Sequence, residues 1–120
     1  MSRIRTIKPD FWRNEALSGI DAEAALLAIG LLNYADDEGF FRWVPKLIEA
    51  DVFPLRDLSV NVHGLLNQLL NIGYVEQHCG NDGRQYGRIC NFAKHQVINR
   101  PKPSEIKHLL VANDGSVIVL

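Results

Sequence analysis

The 120-residue sequence predicts an α+β fold that is mainly helical and carries a small antiparallel sheet. Three observations carry that prediction: helix-period apolar patterns at 21–35 and 58–73, a hairpin pattern at 74–90, and a short aromatic run at 40–43 between the helices. The length and an apolar share of 47% fit one core. No apolar run nears the roughly 18 residues that a membrane span needs. Two cysteines are too few to staple a secreted scaffold, so a cytoplasmic chain with free thiols and no membrane partner is expected.

Taken in order, Arg3 to Ile7 alternate polar and apolar residues, which suits a short extended segment or strand. Pro9 opens a short helix over 10–17, because its fixed φ suits the first turn, and Ser18-Gly19 closes it. Phe11 and Trp12 are expected to anchor that helix to the core. Asp21 is a suitable N-cap for a central, largely buried helix in which Ala22, Ala25, Leu26, Ile29 and Leu32 follow helical spacing. Asp36-Asp37-Glu38-Gly39 ends it as a turn. A strand over 40–43 follows, then a helix from Pro45 to about Val52, stopped by Pro54.

Residues 58–73 predict a helix with Leu58, Val62, Leu65, Leu66, Leu69 and Leu70 inward, and Asn61, His63, Asn67, Gln68 and Asn71 outward. Gly73 suits the residue just past its end. The hairpin turns at 80–83. Residues 91–103 are polar and basic with two prolines, and should leave the compact body as a loop or arm. Residues 104–108 allow one helical turn capped by Ser104, and 109–120 a second hairpin around Asn113-Asp114-Gly115. The expected division is a domain over 1–95 and a basic, proline-containing arm with a C-terminal segment over 96–120.

Helix, strand, helix, helix and hairpin is the order of a winged helix-turn-helix, with 40–43 closing the sheet against the hairpin and 58–73 as the presumed recognition helix. That helix contains no Asp, Glu, Lys or Arg. Arg and Lys make the commonest base and phosphate contacts, so its face suits a partner protein better than DNA, although Asn and Gln can read adenine.

The formal net charge is −1, which argues against a uniformly basic nucleic-acid binder, but the charge is unevenly laid out. Residues 1–13 sum to +3, residues 14–83 to −8, and residues 84–108 to +5. Phosphates respond to local field, so the basic ends matter more than the total.

The run Ile4-Arg5-Thr6-Ile7-Lys8-Pro9-Asp10-Phe11-Trp12 resembles the opening of phage and prophage replication-associated proteins, as do the stretches 31–39, Val52-Phe53-Pro54, Ile72-Gly73-Tyr74, Asn91-Phe92, His95-Gln96 and 99–104. These motifs span residues 3–106 in order. The resemblance implies a winged-helix domain like the N-terminal domain of a replisome organiser or replication initiator. Such proteins bind origin or single-stranded DNA, self-associate and recruit host replication proteins. Relatives often carry a second domain after the proline-rich arm, so a remnant or stand-alone regulator is a further expectation.

Chemistry-bearing clusters are few. Asp36, Asp37 and Glu38 read as a solvated turn rather than a metal site, since three consecutive side chains rarely converge. His78, Cys79, Cys90 and His95 lack paired zinc spacing, and Cys79 and Cys90 would not sit opposite each other. No G-x-S-x-G, P-loop or H-E-x-x-H motif is present, so no enzyme activity, cofactor or metal is expected.

The basic residues remain as DNA-binding candidates: Arg3, Arg5, Lys8, Arg84, Arg88, Lys94, His95, Arg100 and Lys102. Arg84 and Arg88 share strand parity and should project from one face. Tyr86 and Phe92 could stack on bases, with core packing the preferred reading. The leading expectation is a DNA-binding protein of replication, contacting single- or double-stranded DNA through the wing and basic termini. The second is a homodimeric interaction module using 58–73 or the N-terminal segment on host replication or regulatory proteins. A transcriptional repressor is third.

Overall fold

The computed structural model describes residues 3–111. The chain runs through α1 (Asp10–Arg13), α2 (Glu15–Ser18), α3 (Ala22–Tyr34), β1 (Phe40–Arg42), α4 (Pro45–Val52), α5 (Val62–Asn71), β2 (Val75–Gly80), β3 (Gln85–Ile89) and α6 (Phe92–His95). A 3-10 turn at Lys107–Leu109 then leads into β4 (Leu110–Val111). No helix among the described residues is long and apolar enough to cross a membrane.

Local chemistry sets most boundaries. The helix expected over 10–17 is two, because Asn14 leaves helical geometry and its side chain accepts from Leu17 N at 3.0 Å, capping α2. Phe11 packs against the core but Trp12 is 64% exposed, so only one of the two aromatics is an anchor. Residues 3–7 form no strand, and Arg3 N donates to Asn33 O at 3.3 Å. The helix expected from 58 starts at Val62, since the Asn61 side chain accepts from Gly64 N at 2.8 Å and caps it. Asn61 is therefore a cap and not part of an outward helical face. Gly73 follows with φ +75°, a left-handed conformation that favours glycine at a helix end.

The buried face of α3 is Ala24, Leu27, Ala28, Leu31 and Leu32, whereas Ala22 and Leu26 of the expected stripe are exposed. A helix apolar on nearly every side has no face that periodicity alone can choose; packing of α4 and α5 against α3 chooses it. Leu65, Leu66 and Leu69 of α5 and Ile48 of α4 complete that core.

The sheet is antiparallel with order β1-β3-β2-β4. Its register places Phe41, Val75, Gly87 and Ile89 on one face and Phe40, Glu76, His78, Tyr86 and Arg88 on the other. The first face lies on the helical core. Across it the Phe41 and Trp43 rings stack with centroids 5.7 Å apart, and Gly87 leaves them the room. The second face carries its own small cluster, Phe40, Tyr86 and Leu110, with Ile106 and Leu109 packed on it.

That second cluster overturns the expected detached arm. The described part of 96–120 returns to the body: Gln96 is buried, Lys102 and Ser104 bond to the 36–38 turn, and β4 pairs with β2. The reason is that a two-faced sheet leaves Phe40 and Tyr86 in water unless something apolar covers them. The hairpin expected around Asn113-Asp114-Gly115 lies outside the described residues.

Candidate functional site

The turn after α3 organises the basic termini. Asp36 Oδ1 accepts from Glu38 N and Phe40 N, each at 2.9 Å, an Asx arrangement that fixes the corner. Its other oxygen accepts from Ser104 Oγ. Asp37 accepts from Arg5 Nη2 at 3.1 Å and from Lys102 N at 2.8 Å, with Arg3 Nη1 at 3.6 Å. Glu38 accepts from Ser104 N at 2.6 Å, and Lys107 Nζ lies 3.4 Å from it. The expected solvated turn is thus a clasp whose three carboxylates hold the segment around Arg3 and Arg5 and the segment 102–107. Its signal in the sequence was the acidic triplet itself, with the basic partners far away in the chain.

The Lys102 backbone N–H holds the Asp37 carboxyl below its ordinary value, with Arg5 and Arg3 acting in the same direction against the cost of burial. Glu76 is likewise lowered, first by its hydrogen bond to His78 and then by Arg88. Burial and the nearby Glu76 push the Cys90 thiol up, which makes it a poor nucleophile.

The candidate cations therefore divide. Arg5 is 4% exposed at its side chain and bonds Leu32 O, Ala35 O and Asp36 O besides Asp37, so it holds the fold together and cannot reach a phosphate. Arg3 is committed to Asp37. Arg88 lies 3.7 Å from Glu76 and over the Phe40 ring. Arg84 is exposed where the hairpin closes, just before β3, its carbonyl accepting from Gly80 N at 2.8 Å. Tyr86 and Phe92 are 3% and 4% exposed, which removes both from surface stacking.

Lys8, Lys94, His95, Arg100 and Lys102 keep exposed side chains or positions. Two of them, distant in sequence, are brought together: Lys8 Nζ donates to Lys94 O at 3.1 Å. The neighbouring Thr6 and Gln96 make a reciprocal pair, Thr6 N to Gln96 Oε1 at 3.0 Å and Gln96 Nε2 to Thr6 O at 2.8 Å. Lys94 and His95 sit in the last turn of α6. The exposed wing residue Arg84 belongs to a different region of the fold, so the basic candidates do not form one strip.

The N-terminal segment and α6 also enclose a cavity of about 300 Å³. Phe11, Leu17, Leu32, Tyr74 and Phe92 line it, with Lys8, Asp10 and His95 among its polar members. Sequence reasoning missed it because its walls come from segments far apart in the chain.

On α5, His63, Asn67 and Asn71 are exposed. Gln68 is not free: it accepts from Asp21 N at 3.0 Å and donates to Asp21 Oδ2 at 2.8 Å, tying α5 to the start of α3. Of the five residues expected on that face, Asn61 caps and Gln68 braces. Comparison of the chain with protein-family models, with curated proteins and with solved structures gives no match.

Proposed function

We propose that the protein is a winged-helix DNA-binding protein of the phage replication-initiation type, contacting DNA through its wing and its basic N-terminal and arm residues. Support comes first from topology. α3, β1, α4, α5, β2 and β3 follow the order of a winged helix, and β1 pairs with the hairpin as that arrangement needs. The observation that carries the reading is the hydrogen bond from Lys8 Nζ to the Lys94 backbone carbonyl, which sets two remote basic segments side by side, next to His95. The contact set is narrower than the charge pattern suggests: Lys8, Lys94, His95, Arg100 and Lys102, with Arg84 on the wing. Arg5 serves the fold, while Arg3 and Arg88 are paired with acids.

A salt series tests it. Each phosphate contact contributes about −0.9 to the slope of log K against log salt on duplex DNA. The combined Lys8→Ala, Lys94→Ala and Arg84→Ala variant should reduce the slope by about 2–3. Absence of DNA binding, or an unchanged slope in that variant, would sink the reading.

One observation favours a second reading, a homodimeric or host-protein interaction module. The outward residues of α5 are neutral, and Leu26, Leu47 and Leu55 are exposed at 39%, 46% and 96%. Light scattering distinguishes it: a strictly monomeric chain at high concentration removes the dimer.

A further inference from the structure

The cavity between the N-terminal segment and α6 shares Thr6, Lys8 and Gln96 with the contacts described above. Lys8 and His95 are among the residues that line it, and its walls include three aromatic side chains, Phe11, Tyr74 and Phe92. Its volume of about 300 Å³ lies at the small end of ligand pockets. Apolar aromatic walls beside cations suit a flat, apolar-faced ligand that carries negative charge at one end. A nucleotide unit has that form, with a stackable base and an anionic phosphate. Asp10 and Asn91 also line the cavity and add hydrogen-bonding groups suited to a base edge.

We propose that this cavity receives one unstacked nucleobase, with the adjoining phosphate at Lys8 and His95, and that the DNA bound here is therefore single-stranded. The inference rests on the DNA-binding reading above and adds strandedness to it. A base within a duplex reaches such a pocket only by leaving its stack and its partner, whereas a single strand presents it with little cost. The neutral α5 agrees with this, since it lacks the arginine and lysine side chains that most often read a duplex major groove.

The test uses the full chain and an oligodeoxynucleotide of about 12 nucleotides, a length within common single-strand site sizes. It carries 2-aminopurine at one position, and is offered single-stranded and as a duplex at the same salt. Expected are at least about tenfold tighter binding of the single strand and a change in 2-aminopurine emission as the base enters an apolar site. Ala16 and Ile7 line the cavity from exposed positions, so Ala16→Phe fills it and Ile7→Asp charges it without removing core contacts. Either variant, with its thermal melt retained, should bring single-strand affinity down to the duplex level. Equal binding of both DNA forms by the wild type overturns the pocket and leaves the DNA-binding reading standing. So does a single-strand preference that persists in both variants. No binding to either form overturns both.

Discussion

Arg5 and Asp37, 32 positions apart, face each other at 3.1 Å with side chains 4% and 3% exposed. The guanidinium also bonds three carbonyls at the end of α3, and its carbon lies 5.3 Å from the Phe92 ring centroid. One residue of the N-terminal segment therefore seals the helix end, the acidic turn and α6 together. Removing one partner of a buried pair strands the other charge. Arg5→Ala should cost about 3–5 kcal/mol in urea denaturation. Arg5→Lys should recover little, because an ammonium cannot reproduce the planar fork across four acceptors. Destabilisation by Arg5→Ala of less than about 1 kcal/mol would contradict this role.

The clasp gives stability an acid limit. Asp37 has a lower pKa folded than unfolded, so its contribution is complete above the unfolded value, about 3.9. It is lost as pH falls through the folded value. Glu76 acts in the same direction. Melting temperature should be flat near neutrality and drop below about pH 4. Asp37→Asn should be less stable at pH 7 and show a shallower acid decline. Parallel acid profiles for the two proteins would contradict it.

Ser104 fastens the returning segment. Its hydroxyl donates to Asp36 and accepts from Ile106 N and Lys107 N at 3.1 and 3.2 Å. Ser104→Ala should weaken the segment by about 1 kcal/mol, the scale of losing a capping hydroxyl. Hydrogen exchange should accelerate in 104–111 while amides of α3 and α5 keep their protection. Uniform acceleration through the helices would instead show that the segment and core open as one unit.

Gly87 answers to packing. A Cβ there would run into the Phe41 and Trp43 rings, the latter at 2.7 Å. Gly87→Ala should destabilise by about 1–3 kcal/mol through overpacking and alter the near-ultraviolet signal of Trp43. A neutral effect would mean that the stacked pair shifts freely.

Much of the architecture was legible because its signals are local. Pro45 and Pro54 bound α4, Asn81-Asp82-Gly83 lies in the turn between β2 and β3, and Gly73 ends α5. The errors in helix bounds and buried faces arise where local signals stop. Asn61 and Asn14 caps cut helices that apolar periodicity alone would extend, and α3 offered several apolar faces without saying which the neighbours cover. The candidate site was less legible, since charge counted along a chain cannot separate a cation facing solvent from one facing a carboxylate.

By itself the sequence determined the order of the elements from α3 to β3, the mixed fold class and the segregation of charge into an acidic middle and basic ends. Tertiary structure decided what that charge does. Folding brings Arg3 and Arg5 onto Asp37, Lys107 onto Glu38 and Arg88 onto Glu76, while Lys8 Nζ bonds the Lys94 backbone carbonyl instead of an acid. Coulomb interaction falls with distance and with screening by water, so the partners that matter are those within a few ångströms after folding. Those distances exist only in three dimensions.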